Sequence, residues 1–429
     1  MSWGFAFRLR QRLKGSLWVV PFLGTVLGPL LGLFVNWLDH TVQVPEAWSY
    51  SASTATSVLT VLVGAMVALL GFVVTIGVLV VQQATGTLSP RFMRLWYRDL
   101  LQKVVLATFA GTLTFSFWLL RHVEDNSVPN IGVTVAGVAT SASLLLLLLY
   151  LNRFTHSLRP VAVAAAVARA GRRVVESAPI GQAVSEDPDG GLQGVLSAER
   201  SMLVRVDRPG AIQAIHLEGL VAVARRHDCV LVLHHSVGDF VPTGASLVEV
   251  LGNGPFPRAR HLRRMFAFGR ERTIEQDPAF ALRVLVDIAI RALSPAVNDP
   301  TTAVQVLDYI EDLLLAIGRH EFAGYGEFRD ADGRLRVLAP VRRWEDFLEL
   351  GVTEIRRYGA KAVQVTRRLR AALEELRGAV RPEHRDAVET ELGKLEAVVS
   401  ERFRADADLA FAHASDRQGI GGPPVGPGC

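Results

Sequence analysis

Cysteine is nearly missing from this 429-residue sequence: there are two, Cys229 and Cys429, far apart and in no repeated spacing. That excludes a disulfide framework and fits a reducing compartment. Phosphate-binding loops of the Walker type, the protein-kinase motif set and the glycine fingerprint of dinucleotide-binding folds are absent. Ser294 has no nucleophile-elbow context, and no pair of carboxylates is placed for hydrolysis, so an enzyme and a cofactor are not expected. RNA-binding, zinc-finger and helix-turn-helix patterns are missing too, and the small net charge of +4 collects around apolar segments. The pI of 9.3 is therefore not read as a nucleic-acid signal.

Charge is missing where it matters most. Residues 17–38, 58–81, 104–120 and 131–151 contain no Lys, Arg, Asp or Glu, and each approaches the roughly 20 residues that span a bilayer. They hold much of the excess behind a hydrophobic content of 50% and a mean hydropathy of +0.27. The first run is too long for a cleaved signal and lacks a small-residue cleavage site. Arg8, Arg10, Arg12 and Lys14 precede the first span. Arg91, Arg94, Arg98 and Lys103 lie between the second and third, and Arg153, Arg159, Arg169, Arg172 and Arg173 follow the fourth. The loop at 39–57 has neither Lys nor Arg, and the loop at 122–130 carries Glu124 and Asp125. The positive-inside rule then puts both termini in the cytoplasm. With no intramembrane acid or base, a proton-coupled transporter is disfavoured; hydroxyls, glycines and backbone are what remains to line a passive pore.

Small residues recur every four positions in two spans: Gly24, Gly28 and Gly32 in the first, Gly64 and Ala68 followed by Gly71 in the second. Such stripes let backbones approach closely in lipid. They serve packing within one four-helix protomer, or face another subunit or a pore. Pro29 interrupts the first stripe and predicts a kink.

Beyond the spans the pattern changes. Residues 156–200 read as a membrane-exit helix and a linker. Residues 201–255 alternate in short apolar runs, and a glycine turn followed by Gly238-Asp239-Phe240-Val241, Gly244 and Leu247 resembles small barrel-sandwich, lipoyl-like modules. The modifiable lysine is absent, since 201–251 contains no Lys. His227, Cys229, His234 and His235 invite a metal reading, but His234 and His235 adjoin in a strand and point to opposite faces, so no metal site is expected. Residues 256–418 read as a mainly helical domain, with a β-hairpin around Asp332-Gly333, and 419–429 as a disordered tail. Long Arg- and Glu-rich helices after 344 suit packing on the core, or a partner-binding coiled coil. The fold class is thus an α-helical membrane domain (1–155) followed by an α+β cytosolic domain with a small barrel-sandwich-like β module and a helical core.

The candidate site is 283–303. Arg283, Asp287 and Arg291 repeat every fourth residue on one face of an otherwise apolar helix. After Ser294-Pro295, Asn298 or Asp299 caps a helix that begins at Pro300. This row is a self-neutralised network that specifies packing, or an anion site built from the arginines, Asn298 and the new helix terminus. On the first reading, Asp287→Ala leaves two arginines facing each other and costs at least about 3 kcal/mol.

Three stretches, QDPAFALRVLVDIAIRALSPAVNDPTTA (276–303), LSPRFMRLWYRDLLQ (88–102) and WEDFLELGVTEIRRYG (344–359), resemble the bacterial family of predicted membrane proteins called domain of unknown function 2254. The resemblance runs over nearly the whole chain. It implies a bacterial inner-membrane protein with four spans and a cytosolic domain, and it brings no reaction. Two functions follow as expectations. One is a homo-oligomeric channel or conductance pathway for an ion or small anion, with a cytosolic collar. The other is a non-conducting membrane sensor or scaffold whose cytosolic helices recruit a partner.

Overall fold

The computed structural model describes residues 3–41, 49–87, 99–124, 127–157, 159–177, 201–320 and 325–422. They form two units, Gln11–Arg159 and a second composed of Met1–Arg10 with Pro160–Cys429.

The first unit holds the spans. Helix α1 (Trp3–Gly15) enters it and is followed by α2 (Val19–Thr41), α3 (Ala52–Thr87), α4 (Leu100–Leu120) and α5 (Asn130–Ser157). The portions long and apolar enough to cross a membrane are Val19–Asp39, Ala52–Leu79, Leu100–Leu120 and Asn130–Arg153. All four expected spans are thus helices. The second begins earlier than its apolar run because hydroxyl residues extend it: Thr54 N–H donates to Ser51 Oγ at 3.2 Å, and Ser57 and Thr60 return their hydroxyl protons to the carbonyls of Ser53 and Thr56. Helix α2 continues through Pro29. Asp99 caps α4 by accepting from Leu101 N–H, and Asp39, at the end of α2, accepts from Ile131 and Gly132 N–H at the start of α5. Charged groups therefore sit at span ends, where water is available. Phe109, Phe115, Leu119, Leu59 and Met66 fill the interior, while Leu23, Leu27, Leu31, Leu145 and Leu149 face outward, as lipid-solvated leucines do.

The second unit is α/β. Its first long helix, α6 (Pro160–Ser177), buries an Ala- and Val-rich face that includes Val163, Ala164, Val167, Ala168 and Gly171. A methyl at Gly171 would lie 2.7 Å from Ala281 Cβ and 2.9 Å from Leu313 Cδ2, so α6 packs backbone-close on the helical core. The strands are β1 (Ser201–Arg205), β2 (Gly210–Ile215), β3 (Val230–Leu233), β4 (Phe240–Val241), β5 (Ser246–Leu251), β6 (Phe266–Gly269), β7 (Tyr325–Arg329) and β8 (Leu335–Pro340), with α7 (Leu217–His227) and α8 (Ala259–Arg263) between them.

Among the described residues no closed barrel forms, so the barrel-sandwich expectation is not confirmed. The strands make a five-stranded sheet in the order β1-β5-β3-β8-β7 and a separate three-stranded sheet, β4-β2-β6. The central β3 pairs in parallel with β8, Leu231 opposite Val337 and Val232 opposite Leu338. Residues 201–255 thus complete their sheet with strands from far along the chain. The physical reason lies in the apolar faces. Leu231, Leu233, Val248 and Val250 are all buried, and α7 covers them with Leu220, Val223 and Ala224. A strand buried on its flanks as well as its face must have a neighbour on each side. The turn glycines of the motif do what glycine does there: Gly238 and Gly244 adopt φ of +94° and +82°.

The helical core comprises α9 (Pro278–Ala292), α10 (Pro300–Ile317), α11 (Trp344–Gly359), α12 (Val363–Ala379), α13 (Arg385–Arg402) and α14 (Asp406–His413). The expected hairpin is β7–β8, with Gly333 at φ +76° and Asp330 accepting from Asp332 and Arg334 N–H. Residues 419–422, assigned from sequence to the tail, are held: Asp416 accepts from Gly419 and Gly421 N–H, and Gly419 lies against Val304 and Arg368. The rest of the tail, 423–429, lies outside the described residues, as do most of the linker and residues 88–98 of the stretch at 88–102.

Candidate functional site

Helix α9 starts at Asp277, whose Oδ1 accepts from Phe280 N–H at 3.1 Å, with Pro278 in the first turn. An acceptor at the cap and a proline in the first turn together favour a helix start here. Three turns of apolar residues then lock the helix into the core, with Leu282, Leu285, Val286 and Ala289 fully buried. That leaves one polar row, Arg283, Asp287 and Arg291, each part-buried.

Arg283 donates from Nε to Asp287 Oδ1 at 2.8 Å, and its Nη2 lies 2.7 Å from the same oxygen. Its outer edge makes a fork-to-fork pair with Glu354 of α11, Nη1 to Oε1 at 2.6 Å and Nη2 to Oε2 at 2.9 Å. The guanidinium is thus engaged by two carboxylates on two sides, a geometry well matched to its planar donors. These hydrogen bonds hold the Glu354 carboxyl below its usual range. Arg291 lies one turn beyond Asp287 on the same face, so two arginines and two carboxylates balance in charge. An anion arriving at Arg283 would have to displace Glu354. No sequence pattern marks Glu354, although it stands inside the 344–359 stretch; the contact is between helices distant in sequence, and no spacing rule reports it.

At the corner, Asn298 and Asp299 divide their tasks. Asn298 adopts the left-handed conformation, φ +48°, which Asn tolerates better than most residues. Asp299 is the cap: Oδ1 accepts from Thr302 N–H at 3.0 Å and Oδ2 from Thr302 Oγ1 at 2.5 Å, with Pro300 next. Backbone bonds from Val297 and Asn298 N–H to Ser294 O, and from Asp299 N–H to Ala292 O, close the turn. Residues 295–298 are all exposed, and Val297 forms an apolar tip, 48% exposed.

A second charged network is more deeply buried. Arg368 of α12 donates to Asp308 at 2.8 Å and to Glu311, both on α10. Burial pushes the carboxyls of Asp308 and Glu311 up, and Arg368 pulls them back. The sequence signal was an acidic pair three apart on an apolar helix, which reads equally well as a solvated edge. Among the described residues, no three His, Cys, Asp or Glu side chains gather as a metal ion would need. His234 lies 3.8 Å from Glu249 and His235 3.9 Å from Asp239, each facing its own carboxylate.

The two glycine stripes of the spans part company. A methyl on Gly24 would run into the Ala107 carbonyl, on Gly28 into Thr114 Oγ1 and, at 2.5 Å, the Gly111 carbonyl, and on Gly32 into the Trp118 ring. The first stripe is therefore a seam against α4 in which backbone touches backbone. A methyl on Gly64 or Gly71 would meet nothing within 4 Å, and Ala68 between them is exposed.

Four apolar helices, two of them joined by a glycine seam, with a separate α/β unit after them, define a multi-span membrane protein. The chain belongs to the predicted membrane protein family DUF2254, whose model matches residues 14–375. Among curated proteins it is similar to uncharacterized proteins of Mycobacterium bovis and of two strains of Mycobacterium tuberculosis. Each is 29% identical over 423 residues, covering 93% of this chain and 79% of the relative. No solved structure matches the chain.

Proposed function

We propose that the protein is a homo-oligomeric channel of the bacterial inner membrane, with both termini in the cytoplasm and the α/β units forming a collar. The observation that carries this reading is the open face of α3. Gly64, Ala68 and Gly71 continue a line of exposed hydroxyls, Ser57, Thr60 and Thr75. Each hydroxyl donates to the carbonyl four residues back, leaving its oxygen lone pairs to face outward. Copies arranged with these faces toward a shared axis line a path with small residues and oxygen acceptors, suited to an ion that moves without a titrating relay. The glycine seam leaves α2 and α4 no such opening within one protomer. Purified protein in planar bilayers is expected to conduct, and Gly64→Leu is expected to reduce that conductance without altering detergent extraction. A monomer in detergent, together with silence under tension, voltage and pH change, defeats the proposal.

A second reading, a non-conducting sensor or scaffold whose cytosolic helices recruit a partner, is favoured by the hydrogen-bonded, solvent-facing corner with Val297 at its tip. A stoichiometric partner recovered from membranes, lost on Val297→Asp while bilayers stay silent, decides for it.

A further inference from the structure

Helix α1 has two different faces. One is seated on the α/β unit: the Trp3 ring stacks on His216 at 4.7 Å with 4° between planes, and Gly4 N–H donates to Arg264 O at 3.2 Å. Gly4 is buried, and a methyl there would lie 2.8 Å from the Phe266 carbonyl. The other face is bare. Phe5, Leu9 and Leu13 follow one another at four-residue intervals and are 48%, 38% and 48% exposed. Arg8 and Arg10, both exposed, flank that stripe on its two sides, and the helix contains no acidic residue. Beside its first turn the segment at 258–264 adds exposed Arg258, Arg260 and Arg264.

An apolar stripe between arginines is the pattern of a helix that lies in the headgroup plane. The covalent chain supplies the surface: residues 16–18 alone separate α1 from α2, which is the first span, and Trp18 among them is 69% exposed. We propose that α1 is an interfacial helix that binds anionic phospholipid, with Phe5, Leu9 and Leu13 in the headgroup–acyl boundary and Arg8 and Arg10 on lipid phosphates. Its opposite face meanwhile holds the α/β unit through Trp3 and Gly4. The occupant is lipid rather than an acidic protein because the stripe is continuous with a membrane span and its charges are of one sign, opposite to that of an anionic leaflet.

The test places a nitroxide at exposed Ala6 by Ala6→Cys in a Cys429→Ser background, in the full chain reconstituted into nanodiscs. Cys229 is buried and stays unlabelled. In discs containing phosphatidylglycerol, collisions with oxygen are expected to rise and those with a water-soluble nickel chelate to fall, relative to pure phosphatidylcholine. Arg8→Gln with Arg10→Gln is expected to lose that lipid preference, on the order of tenfold or more. Phe5→Ser with Leu9→Ser is expected to lose oxygen access in both lipids. These four side chains are exposed, so the fold is retained, which circular dichroism verifies. Three results overturn the proposal: free access of the nickel reagent in both lipids, equal burial in both lipids with no response to the arginine changes, or shielding from both reagents, which marks a protein cover.

Discussion

Asp277 carries the clearest single-residue consequence. It is 3% exposed, its Oδ2 is packed on the Cα side of Gly238, and burial pushes its carboxyl up to about 6, with Arg342 and Arg272 opposing. The folded pKa lies above the unfolded value of 3.8, so the folded state holds its proton more tightly. The stability from this group is complete below about pH 4 and is lost as pH rises toward and through 6. Asp277→Asn keeps a capping oxygen and removes the charge. It is expected to be more stable than the parent at pH 7, by on the order of 2 kcal/mol, with the difference vanishing near pH 4 in denaturant titrations. At Asp287 the structure lowers the sequence-based figure. Glu354 keeps Arg283 paired when Asp287 is removed, and Glu354 is 41% exposed, so Asp287→Ala is expected to cost about 1–2 kcal/mol rather than 3 or more. A double-mutant cycle with Glu354→Ala, showing a coupling clearly different from zero, checks the shared partner. Cys229 is buried with its thiol pushed up to about 11. In a Cys429→Ser background, native protein is expected to resist a thiol alkylating agent at pH 8 and to react fully once unfolded.

Among elements, the seam of α2 on α4 and the open face of α3 make a controlled pair. Gly28→Leu drives a side chain into Thr114 and the Gly111 backbone, and is expected to cost at least about 2 kcal/mol in steric-trap or thermal measurements on detergent-solubilised protein. Gly71→Leu has room and is expected to fall within about 0.5 kcal/mol of the parent in a dispersed protomer. The sequence displayed both stripes identically, because spacing reports which residues share a face and says nothing of what that face meets. The same limit ran through the β region. The turn glycines, the hairpin at Gly333 and the cap at Asp299 were legible, since each is local chemistry within four residues. The parallel pairing of Leu231 with Val337 was not, since it joins segments separated by the whole α9–α10 core. Span positions were legible for a different reason: lipid leaves helices almost no alternative.

For the whole molecule, the strand order has a direct consequence. β3 is flanked by β5 and β8, and β2 by β4 and β6, so residues 201–255 on their own would lack β6, β7 and β8 and bare the edge of a buried strand. A fragment of residues 201–255 is expected to be unfolded by heteronuclear NMR, whereas 160–422, which contains both sheets and all their partner strands, is expected to give dispersed spectra. On that outcome the unit of folding is the α/β region entire, with α6 packed on its core.

The glycine seam also bears on how the protein is made. Gly24, Gly28 and Gly32 find their partners on the third span, while the second span, synthesised between them, leaves its own glycines bare. A growing chain must therefore hold α2 in the membrane with an unfilled groove until α4 has been inserted, and then dock a helix that is not its neighbour in the queue. A nascent chain that ends before residue 100 therefore presents that groove to lipid, with three glycines bare that the finished protein covers.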